Sequence, residues 1–471
     1  MVTIKPLTTH EIQVKVVEAH GVTIHEATVE SMKRVMSDAV EIQKRSMKIG
    51  AETRLKILAA LGELWADRNA SGEWDEAKEL LAASTGYSRS LIDEEFKLVV
   101  EVFSRENLRA ILDKGLIGGA ESLDGFKAIN ESESIRSMPT GPLLIISSGN
   151  SVIPPLIPTV MGLLTGNFVV LKPSLSNVAG LSMIFSLLEE LEGYEALKEC
   201  LFVSYLRHDS AAYEYLLREA PFGVVNFWGA QPAMGIIGAK VGENPHHPRY
   251  LVNGPLTGFV VVKEDHMDIA VQGLALNIVL YDQQLCSSPT QAAFIGSKEA
   301  LDSFVEKVGE SLNLIGSSQP ITLSEASNYT LQGVRRGLLM KGSKVVSSRD
   351  QSNPWTIVVS ERTSRLGEAV QTFPQFNLYN RKRFIEIIRV EDFRETIELI
   401  EKLPENPGWA GVEKVQTIGA VELSEEEYNL LAETGAYRIV SLSDMYMRSP
   451  SEPYDGVSLP TAFTYRVYRR K

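Results

Sequence analysis

"GPLLIISSGNSVIPPLIPTVMGLLTGNFVVL", residues Gly141–Leu171, carries no charged side chain over its whole length. It is long enough to cross a bilayer, so its reading decides what kind of protein this is. Gly149-Asn150, Pro154-Pro155, Pro158 and Gly166-Asn167 interrupt it. A lone spanning helix with so many breakers would leave backbone groups unsatisfied in lipid. The stretch instead reads as a buried strand, a turn, a helix and a second strand, and no membrane span is expected.

Working outward, the same alternation continues. "SNVAGLSMIFSLLEELEG" reads as a helix opened by Ser/Asn cap candidates and closed near Gly193. "CLFVSYL" and "PFGVVNFW" read as strands, "SAAYEYLLREA" and "QPAMGIIGAKVG" as helices. Strands alternating with helices of ten or more residues indicate parallel β-α-β units. An open parallel sheet of this kind offers a nucleotide crevice at its carboxyl edge. A further α/β section has the strand "GFVVV", then a helix "DIAVQGLALNIVLY" running up to Cys286, then the strand "QAAFIG" and the helix "SKEALDSFVEKVGESL". Before Gly141, "TRLKILAALGELWADR" and "SLIDEEFKLVVEVFSRENLRAIL" repeat apolar residues at helical spacing. The tail "TAFTYRVYRRK" alternates as an edge or subunit-contact strand would.

Composition agrees with a soluble α/β protein. The chain has 471 residues, 44% hydrophobic and 23% charged, enough for two or three domains. A net charge of −13 opposes a nucleic-acid or anionic-membrane partner. Two cysteines and an N-terminus without an apolar signal region point to a reducing, cytoplasmic setting.

Candidate functional residues cluster at predicted strand ends. Cys286, in "YDQQLCSSPTQAAFIG", reads either as a buried structural cysteine, the commoner case, or as a nucleophile in a loop before a strand. Cys200 opens a hydrophobic strand and fits the structural reading. Asn150 follows Ser147-Ser148-Gly149, where its amide can donate to an oxyanion or simply shape a turn. Lys172 ends "NFVVLK", within reach of a nucleotide ribose or phosphate, or in solvent. Gly229 lies between strand and helix, where a missing side chain permits close approach of a pyrophosphate. No G-x-G-x-x-G follows a strand, and there is no P-loop, C-x-x-C or G-x-S-x-G. The histidines, His246-His247 included, show no metal spacing, so no metal is expected.

Singly these signals are weak, but their order is specific. It runs strand–Asn, strand–Lys-Pro-Ser, strand–Phe-Trp-Gly, an Asn-Gly stretch, then Cys. That order resembles the aldehyde dehydrogenase superfamily. Within it, "SSGNSVIPP", "GNFVVLKPS", "YDQQLCSSPTQAAFI" and "PYDG" are similar to the long-chain acyl-CoA reductase family, the reductase component of bacterial luminescence. The likeness runs from about Thr85 to the C-terminus, with the "DQQxCSSP" block its most specific part.

The resemblance implies an α/β, aldehyde-dehydrogenase-like fold. Residues 1–250 would hold a helical region and a Rossmann-like NADP-binding domain, 251–440 an α/β catalytic domain with Cys286, and 441–471 a segment packing back as an oligomerisation strand. The implied reaction converts acyl thioester, NADPH and a proton to fatty aldehyde, CoA and NADP+. The implied partners are acyl-CoA or an acyl-protein thioester, an acyl-protein synthetase and further copies of the chain. Cys286 becomes the nucleophile and Asn150 the oxyanion donor. Lys172 and Ser174 lie against the adenosine side of the cofactor, with Gly229 near its phosphates. Leu175 stands where relatives often carry an acid that would repel a 2′-phosphate, which favours NADPH over NADH.

Two departures sharpen the expectation. Aldehyde-oxidising relatives have a Glu in a Glu-Leu-Gly-Gly stretch; here it is "LVNGP", with Leu251 at that place. Without a base to activate water, acyl transfer is favoured over hydrolysis. The nicotinamide-ribose motif Glu-x-Phe-Gly-Pro is replaced by "NLYNRKRFIEII". The alternatives are an NAD(P)-dependent aldehyde oxidiser and a non-catalytic acyl carrier in a complex.

Overall fold

The uncharged stretch folds as strand Leu143–Ile146, helix Ile153–Leu164 and strand Val169–Lys172. This is seen in a computed structural model that describes residues 3–19, 22–254, 257–321, 323–376, 381–403, 415–449 and 452–470. Pro154 and Pro155 sit in the first helical turn, where a missing N–H breaks no intrahelical bond. A Cβ on Gly162 would lie 2.8 Å from Val169 and 2.9 Å from Leu143, so its absence lets the helix approach both strands. Among the described residues no helix is long and apolar enough to cross a membrane.

The chain forms two units, Met1–Leu81 with Asp93–Asn253 and Ser449–Lys471, and Ala82–Ile92 with Gly254–Arg448. The first begins with β1 (Thr3–Ile4), β2 (Val14–Ala19) and β3 (Val22–Ala27), in the order β1-β3-β2. Helices follow, then β4 (Lys127–Ala128) and β5 (Glu133–Pro139). Next come β6 (Leu143–Ile146), β7 (Val169–Lys172), β8 (Leu201–Val203), β9 (Val224–Trp228) and β10 (Arg249–Asn253). Among the described residues these pair in the order β10-β9-β6-β7-β8, all parallel. The chain starts at the central β6, runs outward through β7 and β8, then places β9 and β10 on the other side. Strand order therefore reverses between β6 and β9, the kind of place where open parallel sheets generally bind ligands.

The N-terminal helices are tied to this sheet by buried polar groups. Arg54 donates to the carbonyls of Leu164 and Ser46, each at 3.1 Å, and burial pushes its pKa down to about 10. Gln43 Oε1 accepts from the Phe168 N–H at 3.0 Å. The bonds to Leu164 and Phe168 hold the turn that feeds β7.

The second unit contains β11 (Thr257–Lys263), β12 (Pro289–Ile295), β13 (Lys344–Ser347), β14 (Thr356–Glu361), β15 (Phe384–Val390), β16 (Val415–Ala420) and β17 (Arg438–Ser441). Their order is β13-β14-β15-β12-β11-β16-β17, with β13 antiparallel to its neighbour and the other pairs parallel. Alternate residues of β11 feed opposite cores: Phe259 and Val261 one, Val260 and Val262 the other. That is why "GFVVV" reads as a continuous apolar run. In the first unit β18 (Thr464–Arg470) pairs antiparallel with β5, giving β18-β5-β4. Its edge exposes Tyr465, Val467 and Tyr468.

Three helical expectations are altered. The long run from Ser90 breaks at Ser104, whose hydroxyl caps the next helix by accepting from the Asn107 N–H. The helix expected to reach Gly193 is Val178–Ser186, followed by a 3-10 turn Leu187–Glu190. The helix expected to run up to Cys286 is Met267–Val279 and stops well short of it.

Candidate active site

Between that helix and Cys286 the backbone turns left-handed. Tyr281, Asp282 and Gln283 have φ of 51°, 48° and 67°. Such a run is costly for residues with a Cβ and persists only where the surroundings enforce it. Each residue is anchored by its side chain. The Tyr281 ring meets Tyr87 edge-on at 5.8 Å and is buried with Leu91 and Leu280. Asp282 Oδ1 accepts from Arg383 at 3.0 Å. Gln283 donates to the carbonyls of Pro289 and Phe384, both at 2.6 Å, and accepts from the Phe384 N–H at 2.8 Å. Gln284 donates to the Arg381 carbonyl at 3.2 Å. The Asp-Gln-Gln run ahead of the cysteine is thus a brace between the turn and the start of β15.

The brace presents Cys286 on a turn that Ser288 N–H closes by donating to the Leu285 carbonyl at 3.0 Å. Cys286 is exposed, whereas Ser287 and Ser288 beside it are buried. Gln416 Nε2 lies 3.1 Å from Cys286 Sγ. On the other side of the turn, a Cβ on Gly258 would sit 2.1 Å from the Ser287 carbonyl oxygen. Only glycine lets β11 pass so close to this loop, and its N–H donates to Ser288 O at 3.0 Å. Burial pushes the Asp282 carboxyl pKa up, against the pull of Arg383 and Lys382. Cys200 is the opposite case: buried, its thiol pKa pushed up to about 11 by desolvation.

In the first unit, Asn150, Lys172, Ser174 and Gly229 lie just beyond or at the carboxyl ends of β6, β7 and β9. Asn150 Oδ1 accepts from Ser148 Oγ at 2.9 Å, which fixes the carbonyl end of its amide. Asn177 clamps the two neighbouring loops. Its Nδ2 donates to the carbonyls of Ser148 at 2.7 Å and Ser151 at 3.1 Å, and its Oδ1 accepts from the Ser174 N–H and hydroxyl, each at 3.0 Å. Ser176 Oγ adds a bond to the Gly149 carbonyl at 2.7 Å. A Cβ on Gly149 would lie 2.8 Å from that hydroxyl. Buried Glu95 receives the Ser151 hydroxyl and the Val152 N–H at the start of the next helix, where a carboxylate is favoured.

Lys172 is half-buried between two rings, its Nζ 5.6 Å from the centroid of Tyr205 and 5.3 Å from that of Tyr213. Desolvation lowers its pKa to about 8, with Glu26 pulling the other way. Glu26 accepts from the Arg207 N–H at 2.7 Å and its guanidinium at 3.4 Å. Gly229 gives its N–H to the Asn253 carbonyl at 3.1 Å, and a Cβ there would meet the Phe227 ring at 2.7 Å. A part in binding phosphate would therefore rest on its missing side chain. Leu251, half-buried on β10, stands opposite Asn226. Asn226 donates to Asn253 at 2.8 Å, Trp228 donates to Asn226 at 2.7 Å, and Asn253 donates to Asp455 at 3.0 Å. Trp228 meets Tyr454 at 5.4 Å. The "NFW", "VNG" and "PYDG" segments form one network.

Sequence reading did not single out Asn177, Glu26, Glu95, Gly258 or Gln416. Asn177 reads only as a cap candidate for the following helix, whereas its side chain joins two loops. The others had no local signal, because their partners are remote in the chain. The segment expected to replace the nicotinamide-ribose motif lies partly outside the described residues, at 377–380.

A family model described as "Acyl-CoA reductase (LuxC)" matches residues 47–465. A long-chain acyl-protein thioester reductase of Vibrio harveyi is 26% identical over 314 residues, 65% of this chain and 63% of that protein. The match thus spans less than two thirds of that relative. A protein of the same description from Photorhabdus luminescens is 24% identical over 431 residues, 88% of this chain and 82% of its own. The fold is that of the aldehyde dehydrogenases. A salicylaldehyde dehydrogenase structure from Pseudomonas putida superposes with a TM-score of 0.74 at 16% identity, over 99% of this chain and 98% of that one.

Proposed function

The chain belongs to the acyl-CoA reductase (LuxC) family, and we propose that it reduces a long-chain fatty acyl thioester to the fatty aldehyde, with Cys286 carrying the acyl group. The observation that carries this reading is the exposed Cys286 thiol at the end of a braced left-handed turn. Packing alone gives no reason to hold an exposed thiol so firmly, whereas a nucleophile needs a fixed approach.

In acylation the Cys286 thiolate attacks the carbonyl carbon and the carbonyl electron pair moves onto oxygen. When the pair returns, the bond to the donor sulfur breaks and the donor leaves as thiolate. No proton has to move. Asn150 is assigned as the donor that holds the oxyanion; its carbonyl end is already taken by Ser148. Leu251 supplies no base to activate water, and Asp282 is held by Arg383. Both points favour transfer and reduction over hydrolysis.

NADPH, when bound, supplies the hydride that takes the acyl group to the aldehyde level. The reversal of strand order between β6 and β9 supports a cofactor site there, since open parallel sheets bind ligands at such points. Lys172 and Ser174 are assigned to its adenosine side and Gly229 to its phosphates. The Lys172 cation, with Glu26 already answered by Arg207, suits a 2′-phosphate. The donor is a thioester of CoA or of a protein, the latter being what the relatives' names specify. An acyl-protein synthetase and further copies of the chain belong to the same proposal.

Intact-mass measurement after adding long-chain acyl-CoA tests the reading. The expected result is one acyl adduct, discharged by NADPH with release of aldehyde. Absence of an adduct, or an adduct that NADPH leaves in place, overturns it.

A further inference from the structure

The register between β16 and β11 skips the position of Gln416. Thr257 stands opposite Val415 and Gly258 opposite Thr417, so the register skips one position. The pairing of β11 with β12 shifts one position further on, between Gly258 and Phe259. Bulges of this kind re-aim a side chain and are common beside active sites. Here the re-aimed side chain is a nine-tenths-buried amide, Gln416 being 1% exposed, and its Nε2 lies 3.1 Å from Cys286 Sγ.

The direction of that amide follows from its neighbours. Arg438, opposite Thr417 on β17, donates from Nη1 to Thr417 Oγ1 at 3.2 Å. A guanidinium has no acceptor, so this bond occupies a lone pair of the hydroxyl. This leaves the hydroxyl hydrogen for Gln416 Oε1, 3.2 Å away, to which it donates. With Oε1 accepting, Nε2 is the end that faces sulfur. Arg438 is itself held by the Met445 carbonyl at 2.9 Å. A neutral thiol is a poor acceptor, and a thiolate is a good one.

We infer that Gln416, aimed by the bulge and oriented by Thr417 and Arg438, is the hydrogen-bond donor that stabilises Cys286 as a thiolate. This rests on the nucleophilic role of Cys286 proposed above. The bond acts twice. It favours the anion that attacks the thioester carbon. It acts again when the tetrahedral adduct on Cys286 collapses to aldehyde, because the carbon–sulfur bond then breaks with its electron pair on Sγ. Thr417 and Arg438 are positioning residues, acting through Gln416.

The test is the pH profile of iodoacetamide alkylation at Cys286, read by peptide mass in the full-length protein without acyl substrate. Gln416→Leu is expected to move the mid-point to higher pH by about one unit or more, since a hydrogen bond to a charged group is worth about tenfold in an ionisation constant. The alkaline plateau should stay within about twofold of wild type, because the free thiolate is equally accessible. Gln416→Glu keeps the shape but puts a negative charge beside sulfur, and should move the mid-point further up. Thr417→Val should shift it in the same direction by less, and Thr417→Ser should overlay on wild type. The Thr417 pair decides the matter if the Gln416 variants do not fold. Overlay of every profile on wild type overturns the inference, as does a lowered plateau with an unmoved mid-point. Because no thioester is present, failure here is distinct from failure of the proposed function.

Discussion

Asp282 and Arg383 are both in left-handed backbone, φ 48° and 51°, and join in an ion pair at 3.0 Å with the guanidinium fully buried. The same guanidinium donates to Asn353 Oδ1 at 2.6 Å and to the carbonyl of Gln319. The pair therefore fastens the turn before Cys286 to the strand start that Gln283 also grips. Removing one member leaves the other charge buried. Asp282→Ala should lower stability by about 3–5 kcal/mol. A urea unfolding midpoint within error of wild type would show that the turn is held without the pair.

Gly258→Ala should impair acylation more than folding. The new methyl would collide with the Ser287 carbonyl oxygen, which is backbone and can yield only by shifting the cysteine loop. A misplacement of about 1 Å can cost on the order of a hundredfold in rate. Circular dichroism and the rate of covalent adduct formation, measured together, separate the two effects. An unchanged rate would mean that β11 does not set the position of Cys286.

Only one of the two cysteines should be acylated. Cys286→Ala should abolish both the adduct and aldehyde formation. Cys200→Ala should leave both largely intact, since that thiol is buried and held in its neutral form to about pH 11. Intact-mass analysis of the two variants decides between them.

Lys172 gives a pH signature. Its proton is lost at about pH 8, below the ordinary lysine range, because burial disfavours the charge. The KM for NADPH should therefore rise as pH climbs through that value, while the KM for NADH changes less. A bound phosphate would move the mid-point upward. Lys172→Met should raise the NADPH KM by about tenfold at neutral pH and flatten the profile. Between about pH 8 and the ordinary lysine value the unfolded chain holds the proton that the folded chain has lost. The contribution of Lys172 to stability should accordingly increase with pH across that window. A clear preference for NADH would reject the cofactor assignment.

The acyl-enzyme should persist when NADPH is withheld. Leu251 offers no carboxylate, and the one closest to Cys286 in the chain, Asp282, is engaged by Arg383. General-base help is worth about a hundredfold to ten-thousandfold, so its absence should leave the adduct stable over many turnover times. Radiolabelled adduct, freed of thiol and cofactor, should release little fatty acid. Release within one turnover time would point to a base elsewhere.

The alternating strands and helices from Gly141 to Ser317, and the inward position of the uncharged stretch, were legible because they depend on local periodicity and on breakers such as Pro154 and Gly166. The candidate positions at strand ends were legible for the same reason. The helix before Cys286 is shorter than its apolar pattern suggests. Its apolar pattern continues through Leu280 and Tyr281, and these residues are indeed buried, but against Leu91 and Tyr87 from a distant segment.

What the sequence determined by itself is thus the α/β layering and the order of the strand-end residues. What only the tertiary structure decided is how the groups are held. Asp282 meets Arg383, Gly258 yields space to Ser287, Asn177 clamps two loops, and Gln416 reaches Cys286 across 130 positions of chain. Helix and strand periodicity comes from contacts between near neighbours, so a window of residues contains it. A buried ion pair, a close backbone approach or a register skip depends on two remote segments meeting at a given distance, and no window contains both.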